Sequence, residues 1–110
     1  MMSAKFVVSK GVDSQYRFNL IAPNGQIILR SEPYGSKTGA LNGIQTVRAR
    51  AQNDGNYERR TASNGEPYFV LKALNGEIIG RSETYTSRFG MESGIAAVKH
   101  NADIAILVES

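Results

Sequence analysis

Cysteine is absent from the sequence, and histidine occurs once, as His100. The first absence excludes a disulfide framework, a thiolate nucleophile and any zinc–cysteine site. The second leaves Ser–His catalysis a single candidate base, with no partner carboxylate identifiable beside it. No His cluster or spaced set of carboxylates suits a metal ion. Neither phosphate-cradling pattern, GxxxxGK[ST] or GxGxxG, occurs. Long apolar runs are missing too: Ala102 to Val108 is broken by Asp103, and spanning a bilayer takes roughly 20 residues. The N-terminus, Met-Met-Ser-Ala-Lys-Phe, lacks the apolar core of a secretion signal. These absences predict a cytoplasmic protein with no cofactor, no metal and no membrane partner.

What is present is a chain of 110 residues, 41% hydrophobic, enough for one domain, 1–110, with a modest core. A net charge of +3 permits an anionic partner without demanding one.

The organising feature is an internal repeat. Shifted by 51 residues, the sequence overlays itself without a gap, with 17 identities over the 34 positions from Phe18 to Ala51. Chance would give about two at average residue usage. In each copy an alternating segment (Phe18, Leu20, Ala22; Phe69, Leu71, Ala73) reads as a half-buried strand. Asn24-Gly25 and Asn75-Gly76 then predict type I′ hairpin turns into Ile27–Ser31 and Ile78–Ser82. Ser36 and Ser87 are placed to cap helices, and the stripes Ala40, Ile44, Val47, Ala51 and Met91, Ile95, Val98, Ala102 follow at helical spacing. Each helix carries two glycines, Gly39 and Gly43, Gly90 and Gly94. A helical glycine costs up to about 1 kcal/mol, so close approach of each helix to the sheet or to its twin is expected. His100 aligns with Ala49, which favours a surface histidine over a catalytic one.

Phe6, Tyr57 and Val108 recur at the same interval, in segments that all look extended. A middle strand that closes one copy and opens the other would fuse the two. The expected fold is therefore α+β: tandem β-β-β-α repeats, 5–55 and 56–108, sharing one antiparallel sheet. Both helices lie on one face, and an approximate two-fold axis relates the copies. Such a pseudo-dimer is expected to be a monomer.

The doubled pattern NG-x-I-I, then S-E-x-Y-x-S-[KR], then G-I followed by V-[KR], resembles the YegP-like family of small bacterial proteins of unknown function. Here it runs from Asn24 to Arg48 and from Asn75 to Lys99. The resemblance implies an α+β fold with one sheet built by both repeats and C-terminal strands exchanged between them. It implies no catalytic residue, cofactor or substrate.

Two surfaces remain as candidates. The stretch Arg-Ser-Glu-x-Tyr-x-Ser, at 30–36 and 81–87, reads either as a pair of symmetry-related sites, with Arg as anion anchor, Glu as base and Tyr as acid or stacking platform, or as architecture. In the architectural reading Arg pairs with the Glu two residues on, Tyr packs the corner and Ser caps. The second is the sheet face opposite the helices. Alternation puts Arg17, Asn19, Ile21, Tyr68, Val70 and Lys72 there, and the partner strands add Ile28, Arg30, Ile79 and Arg81. No carboxylate is among them, so Arg17, Arg30, Tyr68, Lys72 and Arg81 form the candidate binding face. The function expected is a non-enzymatic binding or scaffolding module for a protein or small-ligand partner. The alternative is weak, sequence-tolerant binding of nucleic acid or another anionic polymer.

Overall fold

Three strands and a helix form from each copy in the computed structural model, which describes residues 3–110. Met1 and Met2, at the head of the segment read above for a secretion signal, lie outside the described residues. In the first copy β1 (Lys5–Lys10), β2 (Tyr16–Ile21) and β3 (Ile27–Ser31) precede α1 (Lys37–Arg50). In the second, β4 (Tyr57–Thr61), β5 (Pro67–Lys72) and β6 (Ile78–Arg81) precede α2 (Arg88–Ile104). A last strand, β7 (Ile106–Glu109), follows. Among the described residues no helix is long and apolar enough to cross a membrane.

The turns repeat one design more often than the sequence suggested. At 22–26, 62–66 and 73–77 an Ala-x-Asn-Gly-(Gln/Glu) segment reverses the chain. The Gly N–H donates to the Ala carbonyl at 2.9 Å and the Ala N–H to the carbonyl of the fifth residue at 2.8 Å. Only the glycine has positive φ, +88°, +85° and +87° in turn. These are therefore three-residue type I turns with a glycine bulge and not the expected type I′ turns, which need two left-handed residues. Each Asn side chain accepts from the backbone N–H two residues on, which fixes the turn locally. The β1–β2 turn has the same bonds, Ser14 N–H to Gly11 and Gly11 N–H to Gln15, but Ser14 stands where the others have glycine, at φ +67°. A left-handed serine costs about 1–2 kcal/mol, partly offset by the backbone entropy of a glycine. Ser14→Gly should raise stability by about 0.5–1 kcal/mol, read as a higher midpoint in urea.

The seven strands form one sheet in the order β4-β5-β6-β3-β2-β1-β7. Every pairing is antiparallel except β1 with β7, which is parallel. The all-antiparallel expectation thus fails at one edge. β1 and β7 are the first and last strands, with every other element between them, so no hairpin turn forces them antiparallel. The exchange of strands between copies also runs one way. β7 leaves the second copy to pair with β1, whereas β4, which follows α1, pairs only with β5 and leaves its outer edge open.

The helices form as their caps and stripes dictate. Ser36 Oγ accepts from Gly39 N–H and Ser87 Oγ from Gly90 N–H, both at 3.0 Å. Ala40, Ile44 and Val47 on α1, with Met91, Ile95, Val98 and Ala102 on α2, are buried in one core with Phe6, Phe18, Leu20, Phe69 and Leu71. Helix α1 touches strands of both copies, β1 and β2 as well as β5 and β6; α2 touches β5 as well as β2 and β3. The copies therefore share their core.

Between them lies the pseudo-two-fold axis. Arg30 and Arg81 are equivalent positions, and they pair with each other where β3 meets β6, so the axis passes between them.

Candidate binding surface

The repeated Arg-Ser-Glu-x-Tyr-x-Ser stretch is built into this fold residue by residue. Buried Ser31 accepts from Phe18 N–H at 2.9 Å through Oγ and donates to the Glu32 carbonyl at 2.8 Å. Ser82 does the same with Phe69 N–H at 3.0 Å and the Glu83 carbonyl at 2.7 Å. Each serine bridges a place where the sheet ladder is interrupted. Ser31→Ala should strand a buried Phe18 N–H and cost about 1–3 kcal/mol, measurable by denaturation.

Tyr34 stacks on Phe18, ring centroids 6.2 Å apart, and Tyr85 on Phe69 at 6.4 Å. Each ring lies over the second glycine of its helix. A Cβ on Gly43 would overlap Tyr34 Oη and stand 2.7 Å from Cζ; one on Gly94 would meet Tyr85 in the same way. The close approach demanded by the helix glycines is thus to a tyrosine of the same copy, not to the twin helix. Burial, and then the charge of Glu32 or Glu83, pushes both phenol pKa values up.

The arginines and glutamates of the stretch pair across the axis and not within a copy. Arg30 Nε donates to Glu83 at 2.7 Å and Arg81 Nη2 to Glu32 at 3.1 Å. This corrects the expected pairing of residues two apart. Two arginines directly opposite each other in a ladder repel, and the crossed carboxylates offset that repulsion.

Cross-strand register then defines the open face. Val70 pairs with Arg81, Arg81 with Arg30, and Arg30 with Asn19, so Lys72, Tyr68 and Arg17 share their side by alternation. All five candidate residues therefore lie on one face. Ile28 and Ile79 do not: bulges between Leu20/Ile21 and between Leu71/Lys72 turn both into the core.

A carboxylate meets every candidate cation on that face, contrary to the carboxylate-free expectation. Arg17 contacts both oxygens of Asp13, at 3.2 and 2.9 Å, and together with the Gln15 N–H it holds the Asp13 pKa down to about 2. Lys72 donates to Glu58 at 3.1 Å, and Arg60 reaches the other oxygen at 2.5 Å. Those two cations hold the Glu58 carboxyl below the ordinary range. The face drawn from the sequence did not include β4, which brings Glu58 and Arg60 to it through the β4–β5 register opposite Val70 and Tyr68.

Only two residue pairs join β3 to β6, and clefts open on either side of that seam. One, of about 490 Å³, is lined by Gly25, Gln26, Ile27, Arg30, Glu83 and Tyr85 among others. Its counterpart, about 210 Å³, is lined by Tyr34, Gly43, Glu77, Ile78 and Ile79 among others. Next to the first, Tyr68, Arg81, Glu83 and Thr84 border a hollow of about 370 Å³. His100 is exposed on α2, away from these clefts.

Comparison with known proteins places this architecture. The profile of the Domain of unknown function DUF1508 matches the chain twice, over residues 12–58 and 62–109. The chain belongs to the DUF1508 family. Each match holds one copy of the Arg-Ser-Glu-x-Tyr-x-Ser stretch and its helix. This DUF1508 chain is 49% identical over 98 residues to a UPF0339 protein of Pseudomonas aeruginosa, covering 89% of each. It is 50% identical over 100 residues to the UPF0339 protein YegP of Escherichia coli K12, covering 91% of each. The solution NMR structure of E. coli YegP, a protein of unknown function, superposes with a TM-score of 0.94 at 45% identity, covering 100% of this chain and 95% of that one. A UPF0339 protein of Shewanella oneidensis gives 0.91 at 39%, covering 98% and 92%. The YegP-like resemblance and the α+β fold with one shared sheet both hold.

Proposed function

We propose that this DUF1508 protein works as a monomeric, non-enzymatic binding module in the cytoplasm, with the open sheet face and its seam clefts as the recognition surface. The observation that carries the reading is the use of the repeated stretch. Its serines and tyrosines are spent on hydrogen bonds, caps and packing, and its Arg–Glu pairs cross the seam on the open face. A surface of paired, opposite charges around clefts suits a polar partner of mixed charge, because such a partner can exchange ion pairs without leaving a charge unmatched. The runner-up, binding of nucleic acid, is favoured by the gathering of Arg17, Arg30, Arg60, Lys72 and Arg81 on one face. Against it stand Asp13, Glu32, Glu58 and Glu83, which an incoming phosphate would have to displace.

Titration of a labelled single-stranded oligonucleotide at several salt concentrations separates the two. The module reading predicts no saturable binding at low salt, and capture of protein partners from lysate that survives nuclease. A salt slope near −3, as about four phosphate contacts would give on a single strand, flattened by joint replacement of Arg30 and Arg81, would establish the runner-up. A hydrolase and transferase panel tests the non-enzymatic claim; turnover lost in Glu32→Gln or Glu83→Gln would refute it.

A further inference from the structure

The two ends of the sheet are equivalent by the repeat, but only one is occupied. At the β1 end, β7 adds in parallel, with Leu107 opposite Phe6 and Glu109 opposite Val8. Its backbone is held by Ile106 N–H donating to Ala4 at 3.0 Å and Ser110 N–H donating to Val8 at 2.8 Å. The Glu109 carboxylate pairs with Lys37 of α1. Around this chain end lies a pocket lined by Val8, Ser9, Lys10, Tyr16, Lys37 and Glu109 among others.

The same pocket recurs at the β4 end with no strand added beside it. Moving each of the five first-copy residues by 51 gives Arg59, Arg60, Thr61, Pro67 and Arg88, and those residues, with Met91 and Glu92, line a pocket of about 230 Å³. Lys37 becomes Arg88, which makes no ion pair among the described residues, while Arg59 is held by Glu92 and Asp54. The backbone is ready as well. Phe69 N–H is taken by Ser82, away from β4, so the Arg59–Phe69 pair is not a hydrogen-bonded one. The Arg59 N–H and carbonyl therefore point out of the sheet, as those of Val8 do toward β7. A turn of 3-10 helix, Asp54–Asn56, leads straight into β4, so the open stretch is its second half.

We infer that this edge of β4 accepts an extended peptide of a partner protein, carrying an acidic residue at the position Glu109 holds in β7 and running parallel to β4 as β7 runs along β1. The proposal rests on the binding-module reading and names one partner for it. The main chain would supply affinity by strand addition, and a glutamate opposite Arg59 and beside Arg88 would supply register and direction. The charged side chains of β4 discourage a second sheet from docking edge to edge, but they match an acidic peptide.

The test uses the full chain and a synthetic peptide of residues 104–110, Ile-Ala-Ile-Leu-Val-Glu-Ser, followed by amide NMR. Shifts should concentrate at 58–61 and at Arg88. Arg88→Glu should weaken binding by up to about fivefold, with recovery when the peptide carries Lys in place of Glu. Arg59→Pro, which removes the outward N–H, should abolish binding; the fold is checked by the unchanged amides of the first copy. No shift at millimolar peptide would overturn the proposal, as would displacement of the chain's own β7 or concentration-dependent self-association through β4. Shifts confined to the seam around Arg30 and Arg81 would overturn the edge assignment and leave the binding-module reading standing.

Discussion

Phe69→Ala should destabilise both copies together, by about 3–5 kcal/mol. Phe69 is fully buried and is the middle ring of a ladder. Tyr57 meets it edge-on at 5.7 Å and Tyr85 stacks on it at 6.4 Å. The first copy repeats the ladder with Phe6, Phe18 and Tyr34. Truncating the middle ring loses its transfer free energy and leaves a cavity that two rings and a helix cannot close. Against a typical total of about 5–15 kcal/mol, that loss is a large part of the stability. Because α1 also packs on β5 and β6, the damage is not confined to the copy that carries it. Urea unfolding should show one transition with a lower midpoint, coincident for probes in α1 and α2. A first copy that keeps its wild-type midpoint would refute the shared core.

Gly43→Ala is expected to cost about 1–3 kcal/mol, although alanine is the better helix former by up to about 1 kcal/mol. Overlap decides the sign. The new Cβ would meet the Tyr34 hydroxyl and sit 3.0 Å from Phe18 Cε2. The tyrosine can give way only by leaving its stack on Phe18. In a Tyr34→Ala background the overlap with the tyrosine is gone, and Phe18, freed of the ring stacked on it, has room to ease its 3.0 Å contact; the same Gly43→Ala change should then stabilise by up to about 1 kcal/mol. A double-mutant cycle in urea reads this reversal directly. Equal effects in both backgrounds would mean that the glycine serves something other than the tyrosine. Gly94 and Tyr85 offer an independent replicate in the second copy.

Much of this architecture was legible because the repeat doubles every signal. Capping serines, helix stripes and strand alternation appear twice, so Ser36, Ile44, Phe18 and their counterparts could be placed on local grounds. The turns were legible in position but not in type. Whether Pro23, Ser63 or Leu74 precedes it, the Asn stays out of the left-handed region and only the glycine enters it. What was not legible depends on contacts between copies or on irregular register. No spacing reveals that Arg30 pairs with Glu83, because that requires knowing that β3 meets β6. Alternation misplaced Ile28 and Ile79 because a bulge adds a residue that the period of two cannot see. Gly43 signalled a close approach, but its partner Tyr34 lies nine residues earlier, around a corner. Arg17, Arg30, Lys72 and Arg81 share one side of the sheet, but the candidate face left out Arg60 and the carboxylates that loops and β4 bring to these cations.

Native-state hydrogen exchange across the whole chain tests most directly the claim that two copies make one folding unit. The buried amides of Leu20 and Ile44 in the first copy and of Leu71 and Ile95 in the second should open with the same free energy, equal to that of global unfolding. Mild urea should lower all four in parallel. Protection in one copy that persists while the other exchanges through a smaller opening would contradict it, and would make the chain two modules joined at a two-residue seam.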